Sequence, residues 1–390
     1  MTNDSRPASP PSAKRKQKVA TPSSNDLSAT SEGRSSENRR ATIRDIANLA
    51  QVSIGTASNV LNRPAVVAPN TRKRVLDAIA LTGFVRSTAA HQLRVGRSHT
   101  IGVVVLDIAN PFFAEMVRGA EHVLRQLNYV LMLCSSNESA DREQRYLRVL
   151  EEHRVDGILI SPIESDLGRV AALVARGIPS VLLDMDGSSH GLCSAAVDNV
   201  RGAELAADHL FELGHRRIVF VNGPATIRQC LDRSEGALHS VRRARRRNAA
   251  SFREVRVEAL TIEQGEAAVT AVLALEPRPT AVMCANDLLA FGILRGLAEH
   301  GIAVPDEMAV VGYDDVVFAS MLSPSLTSVR QPPYELGVVA AELLLKEVTS
   351  SSHEHEAILF EPELVVRASS TPRPSTQIAK TLGALRPGRY

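Results

Sequence analysis

From Thr100 to about residue 315 the chain repeats one pattern, a strand-length apolar run followed by a helical amphipathic stretch and then the next apolar run. The runs read "IGVVVLDI", "YVLMLCSS", "DGILIS", "PSVLLDMD", "RIVFVNG", "TAVMCAN" and "MAVVGYDD". Strands this continuously apolar are buried on both faces. Their alternation with helices predicts parallel sheets covered by helices, an α/β architecture in which ligands bind beyond the carboxyl ends of the strands.

The front of the chain follows different rules. Residues 1–40 hold eight Lys/Arg against four Asp/Glu, residues 41–97 hold eight against two, and the remainder holds 29 against 37. A basic front on an acidic body predicts a polyanionic partner at one end. The first 40 residues, with nine serines, four prolines and no aromatic, read as a disordered basic arm that cannot offset its own ordering entropy. No apolar stretch near the start resembles a secretion signal, and no run is long enough to cross a membrane, so a cytoplasmic protein is expected.

Between arm and body, the spacing of Ile43, Ile46, Ala47 and Ala50 predicts a first helix at 43–50, with Thr42 and Asp45 as a capping box. Ser53 is a good N-cap for a second helix, "IGTASNVL", made of poor helix formers. On a helical wheel Ile54, Gly55, Ser58 and Asn59 share one side while Ala57 and Val60 face the other. A third helix is expected to start at Pro69, bury Val75, Leu76 and Ile79, and stop at Gly83. Two short helices, a tight turn and a bracing third helix describe an all-α helix-turn-helix domain at 41–85. Its weak second helix suits entry into a major groove, where small polar side chains must approach base edges.

Enzyme signatures are missing. No two of the 23 glycines are two residues apart, which excludes GxGxxG, and neither GK[ST] nor HExxH occurs. The four cysteines lie far apart and the eleven histidines are scattered, so no disulfide framework, zinc site, catalytic constellation or cofactor is expected. A ligand-binding protein of periplasmic type is the competing reading of the body, and the basic front module counts against it.

"TIRDIANLAQVSIGTASNVLN" resembles the N-terminal signature of the LacI/GalR family of bacterial transcription regulators. The likeness continues through "TIGVVVLDIANPFFAEMVRGAE", "RVDGILISP", "VDNVRGAELAADHLFELGHRRIVFVNGP", "RPTAVMCANDLLAFGILRGLAEHGIAVPDEMAVVGYDD" and "LTSVRQPPYELGVVAAELLL", over about residues 41–370. It implies a repressor whose operator affinity is set by a small effector held between two lobes like those of periplasmic binding proteins, at 99–370. Ile54, Gly55 and Asn59 then occupy base-reading positions, where Arg or His is usual at Asn59. Residues 86–98 become a hinge that folds on the operator and wedges Leu93 into the minor groove. The candidate DNA-contacting set is Thr42, Ser53, Ile54, Gly55, Thr56, Ser58, Asn59, Asn62, Arg72, Leu93 and Arg94. The family usually has Ser at Ala68 and Pro at Arg86, which removes a cap and leaves the linker less stiff.

For the effector, the likeness points to Asp314, Asn286 and Arg233 as polar contacts and Phe112 and Phe113 as an aromatic wall, with Asp184 added. Carboxylate, amide and guanidinium groups beside an aromatic face suit a sugar or sugar-like ring, while Ile227 stands where some purine-binding members are polar. The basic run "SVRRARRRNAASFREV" at 240–255 departs from the family and reads as a solvated helix face. The tail at 371–390 lacks heptads, so a homodimer is expected and not a tetramer.

Overall fold

The structure is a computed structural model that describes residues 41–84, 97–164, 166–245, 250–350 and 352–371. The basic arm, most of the hinge with Leu93 and Arg94, and the tail beyond residue 371 lie outside the described residues. The chain divides into two compact units between His91 and Gln92.

The first unit comprises α1 (Ile43–Leu49), α2 (Ile54–Asn62) and α3 (Pro69–Thr82). Both short helices begin on side-chain caps. Asp45 accepts the Thr42 N–H at 2.8 Å while Thr42 Oγ1 accepts the Asp45 N–H at 3.4 Å, and Ser53 Oγ accepts the Thr56 N–H at 3.0 Å. No side chain caps α3 at Ala68, and Gly83 ends it with a left-handed φ of 59°. Ile46, Ala47, Ala57, Val60, Val75 and Ala78 form the core, with Ile79 partly buried against it. Leu76 corrects the sequence reading. It is 50% exposed, because Ala78, three residues past Val75, takes the core-facing position instead.

The second unit has two lobes, each built on a six-stranded sheet. Lobe 1 opens with β1 (Thr100–Val105), α4 (Pro111–Gln126), β2 (Val130–Ser135), α5 (Ala140–Glu152), β3 (Gly157–Ile160), α6 (Gly168–Ala175), β4 (Ser180–Leu183) and β5 (Ser194–Val197). The chain then crosses into lobe 2 for α7 (Asn199–Glu212), β6 (Arg217–Asn222), α8 (Arg228–Arg245), β7 (Ser251–Arg256), α9 (Ile262–Leu273), β8 (Ala281–Cys284), α10 (Asp287–Glu299), β9 (Ala309–Asp314) and β10 (Thr327–Arg330). It returns to lobe 1 for α11 (Pro333–Thr349) and β11 (Ala357–Phe360), and crosses once more to β12 (Glu363–Val365).

The two sheets share one order, β2-β1-β3-β4-β5-β11 and β7-β6-β8-β9-β10-β12, parallel except for β12. That order reverses direction between β1 and β3, and between β6 and β8, which opens a crevice at the strand carboxyl ends. All seven apolar runs became strands. The basic run 240–255 did not stay one helix face. It is helical to Arg245, Arg243 is fixed by Glu204 at 3.2 Å and Asp208 at 2.8 Å, and Ser251–Arg256 is the edge strand β7. Helices pair closely where glycine permits: a methyl on Gly119 of α4 or Gly337 of α11 would fall on a carbonyl of the facing helix.

The third crossover is pinned by charge. Asp315, just past β9, pairs with Arg330 at 2.7 Å and Arg367 at 2.6 Å, and Arg330 also reaches Glu363 at 2.5 Å. The cysteines are free, as expected, but the histidines are not all scattered: His353 and His355 converge on Cys193.

Candidate functional site

In the first unit, α2 turns Ala57 and Val60 into the core and leaves Ile54, Gly55 and Asn59 on the outside, with Ile54 45% exposed. The exposed face is thus the one the helical wheel selects. Thr56 Oγ1 lies 2.9 Å from Ser53 Oγ, and the Asn62 side-chain amide donates back to Ser58 O at 2.6 Å and Ser58 Oγ at 3.0 Å. Thr42 and Ser53 are committed to capping, and Arg72 turns inward to donate to Val67 O at 3.3 Å. Of the described candidates, Thr42, Ser53, Ile54, Gly55 and Asn59 are exposed, while Thr56, Ser58, Asn62 and Arg72 are half-buried.

In the second unit a pocket opens between the lobes. Its lining follows strand carboxyl ends on both sides: Leu106, Asp107, Asn110, Phe112 and Phe113 after β1, Glu138 after β2 and Asp184 after β4. Across from them stand Ile227, Gln229 and Arg233 after β6, Leu260 after β7, Asn286 after β8 and Asp314 at the end of β9. All six residues expected at the effector site therefore reach one cavity. Phe112 and Phe113 pack edge to face at 5.1 Å between centroids.

Asp314 is the hub. It is buried, and its carboxylate accepts the amides of Asn110 at 3.0 Å and Gln331 at 2.8 Å. Arg233 Nη1 stands 3.9 Å away, an ion pair without hydrogen-bond contact. The guanidinium is held by Asn199 Oδ1 at 2.8 Å and Ala285 O at 2.5 Å, and lies 3.7 Å from the Tyr313 ring centroid. Burial pushes the Asp314 carboxyl above the usual range while Arg233 and the two amides pull it back. Its φ of 111°, with 51° at Asp315 and 55° at Asp184, places non-glycine backbone in sparsely populated regions at the pocket.

Asp184 is pushed up to about 7, first by burial and then by Asp314, with Arg233 opposing. Gln229 reaches across from lobe 2 to donate to Asp184 O at 2.6 Å and Oδ2 at 3.1 Å. Asn286 lines the pocket but also caps α10, accepting the Leu289 N–H at 2.9 Å and donating to Leu260 O at 3.1 Å. Part of its hydrogen-bonding capacity is therefore structural. The sequence reading missed Asn110, Glu138 and Gln229, which carry contacts between lobes, and Gln331, which holds Asp314 from the end of the neighbouring strand. Asn110 could have been found, because it begins "NPFF" directly after a strand.

Glu138 joins lobe 1 to lobe 2 by accepting the Leu260 N–H at 3.1 and 3.3 Å. Burial pushes its carboxyl up to about 7, with the Leu260 N–H opposing and Asp107 adding. Freed from the contact, the carboxyl would return toward 4.5, so the closed pair binds the proton more tightly than the open one. Closure is then best supported at low pH and loses support as pH rises from about 4.5 to about 7, by at most about 3 kcal/mol. Melting temperatures recorded from pH 5 to 8 should fall across that interval, and Glu138→Gln should flatten the fall. An identical pH profile in the variant would refute this role.

Comparison with known proteins agrees with both halves of this picture. Residues 42–87 match the family described as bacterial regulatory proteins, lacI family, and residues 207–370 match the periplasmic binding protein-like domain. The HTH-type transcriptional repressor PurR of Photobacterium profundum is 35% identical over 347 residues, covering 84% of this chain and 98% of its own. A LacI family regulator from Enterococcus faecalis, solved with bound ribose, is 34% identical with a TM-score of 0.62, over 70% of this chain and 99% of its own. The lac repressor dimer bound to operator and an anti-inducer superimposes with a TM-score of 0.72 at 26% identity, over 85% of this chain and 99% of its own. With a head built to enter DNA and a body built to enclose a small molecule, the chain belongs to the lacI family of bacterial regulatory proteins, as a DNA-binding transcriptional repressor under effector control.

Proposed function

We propose that the protein is a homodimeric cytoplasmic repressor that binds a sugar or sugar-like polyol between its lobes without chemical turnover. Asp314, Arg233, Asp184 and Asn286 supply the polar contacts, and Phe112 and Phe113 the apolar wall. The observation that carries the sugar reading is a surplus of acceptors: Asp184 Oδ1 and Gln229 Oε1 are buried on the pocket lining without a hydrogen-bond donor. A ring bearing several hydroxyls supplies such donors, and its C–H face covers an aromatic wall. Ile227, buried on the same lining, offers nothing to a purine edge. The ribose-bound relative supports the same choice.

On the DNA side, the exposed face of α2 reads one half of a pseudo-palindromic operator, and Leu93 supplies a minor-groove wedge. The test is a pair of operator titrations of the full-length protein, with and without each of a panel of pentoses, hexoses and disaccharides. At least one should shift operator affinity; a shift by purine bases alone would overturn the sugar reading.

Asn59→Ala should weaken binding to the preferred operator by about 1–3 kcal/mol and relax preference at one base pair per half-site, since an exposed asparagine can pair bidentately with adenine. Selection from random DNA measures this directly. The same motif with unchanged information content would remove Asn59 from the readers.

A further inference from the structure

Cys193, Glu347, His353 and His355 bring one sulfur, one carboxylate oxygen and two imidazole nitrogens within 4.8 Å of one another, in lobe 1 and away from the effector pocket lining. The fold itself builds this cluster. Parallel pairing of β5 with β11 sets Ala357 against Ser194, so the residue before each strand, Glu356 and Cys193, also meet, and the Glu356 N–H donates to Cys193 Sγ at 3.3 Å. The two histidines occupy the short segment leading into β11, and Glu347 stands in the last turn of α11.

The distances suit a metal. Bonds of about 2.0–2.3 Å in a tetrahedron put neighbouring donor atoms roughly 3.3–3.8 Å apart. Here Cys193 Sγ lies 2.9 Å from His353 Nε2 and 3.8 Å from His355 Nδ1, while Glu347 Oε1 lies 3.9 Å from His353 Nε2 and 3.4 Å from His355 Nδ1. An independent observation comes from Glu347. Its side chain is 8% exposed and its buried Oε1 faces the thiol and imidazoles of the same cluster without a hydrogen bond of good geometry, so a cation bound among them would offset the cost of burying its charge.

We propose that these four residues form a structural site for a divalent transition metal of the zinc class. One thiolate, two imidazoles and one carboxylate form a closed set with no open coordination position, which distinguishes a structural from a catalytic zinc. On binding, the Cys193 thiol releases its proton to solvent, and the two anionic ligands balance the charge of the ion. The ion ties β5, α11 and the approach to β11 together, five residues before the chain leaves lobe 1 for β12. No spacing motif announces it, since Cys193 and His353 are 160 positions apart.

The test uses the full-length protein, stripped with a chelator, dialysed and titrated with Zn²⁺ alone, and in parallel with Co²⁺. One Zn²⁺ per chain should bind and raise the melting temperature, and the Co²⁺ form should show a thiolate-to-metal charge-transfer band that Cys193→Ser abolishes. Because Cys193 is fully buried, a second variant guards against failure to fold: His355, 43% exposed, tolerates truncation. His355→Ala should weaken Zn²⁺ binding at least about 100-fold, beyond the loss typical of an outer-shell partner. Substoichiometric uptake by the wild type, a Co²⁺ spectrum without the thiolate band, or wild-type Zn²⁺ affinity in His355→Ala would each overturn the site.

Discussion

Replacing Asp314 by asparagine should weaken effector binding roughly 30- to 1,000-fold, about 2–4 kcal/mol, and abolish the effect of physiological effector concentrations on operator affinity. Asparagine is the informative choice because it keeps the shape of the side chain and is among the residues that best tolerate a positive φ, which alanine at 111° would not. The charge is lost, and one of the two amides that Asp314 accepts, from Asn110 and Gln331, now faces another NH₂ group. Residues 41–84 are untouched, so the variant should bind operator as the effector-free wild type does. Linkage adds a second readout: in the wild type, operator must change effector affinity by the same factor that effector changes operator affinity, and in the variant both factors approach one. Operator titrations of both proteins, with and without saturating effector, decide the matter. A full wild-type shift in Asp314→Asn would remove this carboxylate from the site.

Arg233→Met should cost about 3–5 kcal/mol of stability near pH 8, because it strips the cation from a buried centre that holds Asp314 and Asp184. Methionine fills much of the same volume, so the loss is chiefly electrostatic. The sign of the pH dependence separates charge from packing. Asp184 is already pushed up to about 7, and Arg233 opposes that push, so removing Arg233 raises it further. The folded variant then favours protonated carboxylates and should recover part of its stability as pH falls below about 7. Urea unfolding at pH 5.5 and pH 8 measures this; an equal deficit at both values would mark Arg233 as a packing residue.

The two-sheet fold was legible wherever burial on both faces left a continuous apolar signature, as in "IGVVV" or "TAVMC". Strands at or near the sheet edges escaped notice for lack of it: β5 is "SAAV", made of small residues, and β7 is "SFREVR", half of it charged because one side meets solvent. In α3, Val75 was placed correctly and Leu76 was not, since hydrophobicity alone cannot tell a core leucine from an exposed one. The lining of the pocket between the lobes was legible through resemblance at Asp314, Arg233 and Phe112. The contacts between lobes were not, because Glu138 and Gln229 are ordinary polar residues whose meaning lies in which lobe they reach. The Cys193 cluster was hidden for the same reason, assembled by strand pairing across 160 positions.

The three crossovers also set a timetable. Sheet 1 is not a contiguous segment of chain: α11 and β11, its last helix and its edge strand, are synthesised after nearly all of lobe 2. The helix-turn-helix is complete at Gly83, whereas lobe 1 is not closed until Phe360. At about 5–20 residues per second a ribosome needs roughly 14–55 s to cover that interval. For roughly the last 8–33 s of it, from Val197 to Phe360, β5 presents an unpaired edge that β11 then covers. The sensing half of the repressor is therefore the last to come into being, and a chain cut short before residue 360 carries a finished reading head with nothing to instruct it.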